Sequence, residues 1–464
     1  MRHIQPPHPA TLFALLTLML LLFTWMAEAY GLQTINPSTH EVVAVRSVLN
    51  AEGIRWLLRH AVSNLYDYSS LGQVLLGLFS LGIAYHSGLV DALTGTPWLR
   101  RLGQRGTVAL IIALGAGSHL LGDVGYLLLL PLSASLFRSV GLSPVTGVLT
   151  SLVAIGCTDV HYTLFLSVTG LLLLPLLYVL SIRWLLPSSI QAHCPSKSLS
   201  SESNRSAKES IAATAITLTR RERRALTSAL TAGALYACLL PWSIYALGDL
   251  FLGVDGSLTR SPLMEGMVPI ICFGLAWMGG VYGFVSGRYR SDAQLMEGAA
   301  SYLPLLCDYF LLLFCCAELS ALFSYSNLGP YLAIEGAQWL CTLQLPTPLL
   351  LLLFILFTAL INLFIVPTEL KWQLLSPCFL PLFQTLYVCP EATLSAFSIG
   401  DTTTNVLSPF MPYLPLILAT LRHYQPQATY TTLLIHTGRI SLTLFTVWIL
   451  LYALWSVVGW PFAL

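Results

Sequence analysis

Long apolar runs recur from one end of this chain to the other, near residues 11–29, 70–93, 107–121, 124–140, 145–157, 160–186, 225–252, 264–286, 301–325, 347–366, 372–388 and 429–459. A helix that crosses a bilayer needs about 20 predominantly apolar residues, and several of these runs reach that length. Only 9% of the residues are charged, against 56% hydrophobic, whereas a soluble domain carries about a quarter charged residues. Such a chain has too little charge to cover a water-facing surface. In lipid the backbone has to satisfy its own hydrogen bonds, so the expectation is an all-α polytopic membrane protein. The formal net charge of +1 offers no electrostatic footprint for a nucleic acid. The ten cysteines form no CxxC pair, and Cys272, Cys307 and Cys378 lie inside apolar runs. They read as small apolar residues rather than a disulfide or metal framework.

Residues 11–26 are apolar and precede MAEAYG, which loosely mimics a leader cleavage site. The basic flank is Arg2 alone, so an uncleaved first span is expected. In AEGIRWLLRHAVSNLY, 51–66, Ile54, Leu57, Leu58 and Val62 share a face opposite Arg55 and Arg59, the pattern of an amphipathic helix at the membrane interface. A Ser-rich polar stretch, 187–224, ends in TRRERR and divides the chain. The expected organisation is an N-terminal membrane half over 1–186, a polar cytoplasmic linker over 187–224 and a C-terminal membrane half over 225–464. LRRLGQR (99–105), the linker and GRYR (287–290) hold most of the Lys and Arg, and all three can be cytoplasmic if the N-terminus is inside.

The runs within 107–157 and 347–420 are broken by Gly, Pro and polar residues. Breaks at membrane depth are tolerated where protein or a water-filled cavity shields the backbone. The two broken regions also resemble each other. GDVGYLLLLPLSASLFRSVGLSP (122–144) and TELKWQLLSPCFLPLFQTLYVCP (368–390) align Pro131, Phe137 and Pro144 with Pro377, Phe383 and Pro390 at identical spacing. Each first proline is preceded by an acid, Asp123 or Glu369, and by an aromatic, Tyr126 or Trp372, in register. Each half then reaches a Gly followed by Thr and Asp, GCTD at 156–159 and GDTTTN at 400–405. This reads as a structural repeat. Secondary transporters are often built so, with substrate and ion sites near the midplane where interrupted helices of the two repeats meet.

The chemistry-bearing residues cluster at these breaks. Asp401 and Asn405 lie one helical turn apart and share a face, with Thr402 to Thr404 adding hydroxyls. Oxygen ligands of this kind suit Na⁺, and a carboxylate alone can carry H⁺. The opposing reading is a helix-capping Asp with structural hydroxyls. Asp123 is a second cation-coupling candidate; its bland role is an interhelical hydrogen bond. Lys371 is the only Lys or Arg between Arg290 and Arg422. Its ammonium can attract a carboxylate or sulfonate, or it can be held in a salt bridge to Glu369 or Asp401. Trp372 can stack on an aromatic solute or simply pack. Pro409 and Pro412 shape the second broken segment and can line the site. Glu369, Glu318 and Asn327 are further polar residues at membrane depth.

At these residues the chain resembles the AbgT family of p-aminobenzoyl-glutamate transporters. The resemblance runs through NAEGIRWLLRHAVSN (50–64), LGQVLLGLFSLGIAYHSGLVDAL (71–93), GDVGYLLLLPLSASLFRSVGLSPVTG (122–147), YSNLG (325–329), ALINLFI (359–365), LKW (370–372) and IGDTTTNVLSPFMPYLPL (399–416). It implies a homodimer in the bacterial inner membrane, with inverted repeats, two re-entrant hairpins per protomer and transport driven by a cation gradient. The implied solute is a small aromatic anion, taken up as a folate precursor or exported as an antifolate drug. Three departures stand out. The family's polar hairpin tip after the position of Gly156 is here GCTDVHYTLFL, which passes almost directly into the next span. The family's GSASAKW is VPTELKW, so Glu369 replaces a small serine beside the retained Lys371 and Trp372. The family's Arg before IGD is Ser398.

The resulting expectation is a cation-coupled secondary transporter with Lys371, Trp372, Glu369, Asn405, Pro409 and Pro412 at the solute and Asp123, Asp401, Thr404 and Asn405 at the coupling ion. Beyond Na⁺ or H⁺ no cofactor is expected. Two other readings compete. A transporter-derived protein that binds without transporting would fit the altered tips. The pairs Gly122-Asp123 and Gly400-Asp401 resemble the paired acids of intramembrane aspartyl proteases, but the YD and GxGD contexts are absent, so an enzyme is not expected.

Overall fold

A computed structural model describes residues 9–35, 41–67, 71–118, 125–157, 163–186, 219–246, 261–342, 345–366, 368–411 and 413–462. The first half contains α1 (Pro9–Ala29), a two-stranded antiparallel ribbon of β1 (Gln33–Ile35) and β2 (Val42–Ala44), α2 (Ala51–Tyr66), α3 (Leu71–His86), α4 (Leu89–Thr94), α5 (Pro97–Ser118), α6 (Leu130–Ser139, entered through a π-helical turn at Gly125–Leu129), α7 (Pro144–Gly156) and α8 (Leu164–Leu180). The second contains α9 (Arg220–Ala246), α10 (Met267–Ser286), α11 (Asp292–Ala300), α12 (Pro304–Tyr325), α13 (Leu328–Thr342), α14 (Thr347–Asn362), α15 (Thr368–Thr385), α16 (Pro390–Thr404), α17 (Leu414–Tyr424) and α18 (Tyr430–Val458).

Among the described residues, four helical stretches are long and apolar enough to cross a membrane: Leu164–Leu185, Arg220–Ala246, Met267–Ser286 and Tyr430–Val458. Most others are shorter, as interrupted helices must be. The TRRERR end of the expected linker is not linker: α9 begins at Arg220, with Thr219 and Glu222 exchanging hydrogen bonds across its first turn. In α2, Asn50 caps the helix by accepting from the Gly53 N–H at 2.7 Å. Leu58 and Val62 on its apolar face are 78% and 77% exposed, which suits a helix lying against lipid.

The repeat is present in the backbone itself. α6 and α15 both end in a six-to-one turn, the Leu142 N–H bonding the Phe137 carbonyl and the Val388 N–H bonding the Phe383 carbonyl, each at 2.9 Å. The residue before each donor is left-handed, Gly141 at φ +78° and Tyr387 at φ +60°. This is the Schellman stop, and it is used twice at matching positions, once without the glycine that makes it inexpensive. Pro144 and Pro390 then open α7 and α16, and Phe137 and Phe383 are both fully buried. The correspondence extends further upstream. Between α3 and α4, Ser87 Oγ bonds the Ala84 carbonyl and accepts from the Leu89 N–H, around left-handed Gly88. Between α12 and α13, Ser326 Oγ does the same with Phe323 and Leu328, around left-handed Asn327. The unit α3 to α7 is therefore repeated as α12 to α16.

Within each unit the third and fifth helices pack closely, α5 on α7 and α14 on α16. A Cβ at Gly400 would stand 2.6 Å from the Ile355 carbonyl oxygen. Its counterpart Ala154 fits because it faces Gly115, where a Cβ would come within 2.5 Å of the Ala154 methyl. Small residues thus set the helix spacing, as is usual in membranes. In this register the hairpin formed by α14 and α15, whose sides meet through Phe354 and Phe379 (ring centroids 4.4 Å), has its counterpart in α5 and α6. The segment after Gly156 corresponds to the helix break after Asp401; its residues 158–162, Asp159 among them, lie outside the described residues.

Candidate functional site

Three helix ends converge in the second repeat: the C-terminus of α14, the N-terminus of α15 and the C-terminus of α16. The Lys371 ammonium, one turn into α15, forms an ion pair with Asp401 Oδ1 and donates to Asn362 Oδ1. Thr368 Oγ1 donates to the other carboxylate oxygen, Asp401 Oδ2, at 2.7 Å. The Asn362 amide nitrogen lies 2.6 Å from the Asp401 carbonyl, 2.8 Å from Thr404 Oγ1 and 3.0 Å from Asn405 Oδ1. Lys371 and Asn362 have no exposed surface, and Asp401 is 4% exposed.

Helix dipoles make the pairing obligatory. Asp401 sits in the last turn of α16, where the dipole is negative, and Lys371 in the first turn of α15, where it is positive. Each charge is at the end that repels it, so neither is stable in the interior without the other. Removing one partner of such a pair costs about 3–5 kcal/mol. Three carbonyls at the break also find donors: Ser441 donates to Thr403, Tyr430 to Leu407 and Ser408 to Leu363, at 2.5, 2.5 and 2.9 Å. α16 passes into a single 3-10 turn at Asn405–Leu407, and Asn405 remains half-buried beside Asn362.

The first repeat meets this break. A Cβ at Gly156 would stand 2.4 Å from Val406 Cγ2, and Thr163 Oγ1 lies 2.9 Å from Ser395 Oγ. Tyr126 stacks on Tyr413 (centroids 5.2 Å, planes 13° apart), whose hydroxyl donates to Gln73 Oε1 at 2.6 Å. The charges themselves are not duplicated. The repeat register sets Ala116, Gly125 and Ile155 opposite Asn362, Lys371 and Asp401.

Of the residues singled out from sequence, Lys371, Asp401, Thr404 and Asn405 are brought together. Trp372 is half-buried and meets Phe397 edge-on, centroids 5.0 Å apart. Pro409 is half-buried in the loop after Ser408. Asp123, Pro412 and the side chain of Glu369 lie outside the described residues. The lysine's partner is Asp401, the second of the two salt-bridge partners considered for it. Asp401 is not a helix cap: it is inside α16, and its carboxylate answers the lysine. Glu318 joins a different junction, accepting from Asn64 of α2 at 3.2 Å. Asn327 is the left-handed residue of the α12–α13 turn, with its amide on the Ala44 carbonyl. Sequence reading missed Asn362 and Thr368. The available signal was their position: an Asn ending the apolar run TALIN, and a Thr opening the next helix, flank the break.

Interrupted helices at membrane depth, in two repeats that meet beside a buried charge pair, define a multi-spanning secondary transporter. The chain belongs to the AbgT transporter family: residues 4–178 and 195–464 match the AbgT putative transporter family. It is 26% identical over 480 residues to the p-aminobenzoyl-glutamate transport protein of Escherichia coli (strain K12), covering 98% of this chain and 93% of that one. It is similar in structure to the Alcanivorax borkumensis YdaH transporter (29% identity, 98% of this chain and 99% of that one, TM-score 0.55). It is likewise similar to Neisseria gonorrhoeae MtrF, described among antimetabolite efflux pumps (27% identity, 99% and 97%, TM-score 0.55). The chain is accordingly a transporter rather than an enzyme, multi-pass in the bacterial inner membrane.

Proposed function

We propose that this protein is a cation-coupled secondary transporter of a small aromatic anion, p-aminobenzoyl-glutamate or a compound of the same kind, working as a homodimer. The observation that carries the reading is the buried Lys371–Asp401 pair at the junction of the α14–α15 hairpin and the α16 break. A solute carboxylate competes with Asp401 for the Lys371 ammonium and gains from the N-terminus of α15. Once the ammonium leaves, Asp401 holds a negative charge among the oxygens of Asn362, Thr404 and Asn405. That oxygen set accepts Na⁺, and the carboxylate alone accepts H⁺. Anion and cation then enter together, because either one alone leaves a buried charge uncompensated. Trp372, Pro409 and Pro412 border this region in sequence and belong to the proposed solute wall, as does Glu369; Asp123 is the counterpart of Glu369 in the sequence register of the first repeat.

The relatives named above support the solute class. The test is uptake and counterflow of radiolabelled p-aminobenzoyl-glutamate in proteoliposomes. Gradient-dependent accumulation that Lys371→Met abolishes is the expected result. Saturable binding without counterflow would replace transport with a binding role.

A further inference from the structure

A cavity lies between α3, α6, α12 and α17, away from the Lys371–Asp401 centre, with a volume of about 240 Å³. Leu78 and Leu127 form part of an apolar wall, and Tyr302, Thr420, Arg422 and His423 form a polar side. Beside the cavity, Ser301 Oγ donates to the Gly298 carbonyl at the end of α11 and also reaches Gly82 of α3, and Gly298 faces the Tyr289 hydroxyl of GRYR, the segment whose basic residues are expected on the cytoplasmic side. Arg422 is half-buried at the last turn of α17, so its guanidinium acts in a setting less screened than open water. Tyr302 is held in place by Tyr85, ring centroids 5.1 Å apart, and the Tyr85 hydroxyl bonds the Pro131 carbonyl at 2.8 Å.

We infer that this cavity is a separate, cytoplasm-facing binding site for an amphipathic aromatic anion, an antechamber to the Lys371 centre. A basic fork beside an aromatic ring and an aliphatic wall matches a carboxylate joined to an aromatic body. The chain of contacts leads inward. Leu127 follows Tyr126, Tyr126 stacks on Tyr413, and Leu416 one turn beyond Tyr413 lines the same cavity. The Tyr126–Tyr413 stack thus separates the antechamber from Val406, Asn405 and the buried pair. The inference rests on the proposed solute class and adds a second place where that solute binds.

The test uses the full chain in nanodiscs of neutral phosphatidylcholine with radiolabelled p-aminobenzoyl-glutamate. Lys371→Met, which disables the centre, should keep a weak, salt-sensitive binding. Adding Arg422→Gln should weaken it at least tenfold, and Arg422→Lys should restore part of it. In vesicles of defined orientation, Arg422→Gln in the otherwise native chain should raise KM about tenfold when solute is offered from the cytoplasmic face and leave KM from the opposite face unchanged. Equal KM changes at both faces, or residual binding indifferent to Arg422, would overturn the assignment. So would anionic lipid retained through purification in an Arg422-dependent manner while the probe's binding stays the same, which would give the cavity to a lipid headgroup. Absence of probe binding and transport in every form, wild type included, would instead fault the solute class.

Discussion

Lys371→Met is the perturbation whose consequence follows most directly from the geometry. It removes the ammonium that sits between Asp401 Oδ1 and Asn362 Oδ1 and leaves a carboxylate that is 4% exposed at the negative end of a helix. Thr368 still donates to it, but one hydroxyl does not offset a buried charge. The loss should be about 3–5 kcal/mol. With an unfolding entropy of about 2 cal/mol/K per residue, a chain of 464 residues should lose about 3–5 °C in Tm. Asp401→Asn should cost a comparable amount, because it strands the lysine instead. The double variant Lys371→Met/Asp401→Asn removes both charges, and should recover most of the loss with a coupling energy of at least about 2 kcal/mol. Thermal unfolding of the detergent-solubilised protein, followed by tryptophan fluorescence, gives all four corners of the cycle. Additive single effects, or single variants within about 1 °C of wild type, would refute the obligatory pairing.

Gly400→Ala places a methyl 2.6 Å from the Ile355 carbonyl and should push α16 from α14, cutting transport at least tenfold while Gly115→Ala, in the repeat without the charges, lowers Tm more than it lowers transport per folded molecule. Asn362→Ala removes the amide that joins Asp401, Thr404 and Asn405 and should raise the cation concentration for half-maximal uptake about tenfold; Asn362→Asp should lower it, as measured by Na⁺ or proton titration of uptake. Trp372→Phe should keep most transport and Trp372→Ala should lose stability by about 3 kcal/mol if its contact with Phe397 is packing, read by Tm alongside KM.

Much of the fold was legible because it rests on coarse rules. Length and hydropathy mark helices, and the shared Pro131/Pro377, Phe137/Phe383 and Pro144/Pro390 spacing marks a repeat whose stops agree hydrogen bond for hydrogen bond. The earlier portion of the repeat was not legible. Its shared element is one serine and one left-handed residue, Gly88 in one copy and Asn327 in the other, and those are too common to align unaided. The start of α9 was misjudged because TRRERR reads as linker by charge, whereas a Thr-x-x-Glu start lets the helix open among basic residues. At the site, sequence showed which groups are costly at depth but not which meets which. Lys371 has an acid two residues away in Glu369, and the partner found is Asp401 on another helix. Asn362 was passed over because an uncharged amide at the end of an apolar run carries no cost that draws notice; its importance comes from three acceptors that only the fold brings within reach.

The account turns on coupled transport through the Lys371–Asp401 centre. Its most direct test is uptake of radiolabelled p-aminobenzoyl-glutamate into proteoliposomes, with and without an inward Na⁺ gradient and separately a proton gradient, for wild type and Asp401→Asn. The account predicts accumulation driven by one of the two gradients in wild type and its loss in Asp401→Asn protein that still folds. Gradient-driven accumulation that survives Asp401→Asn would contradict it.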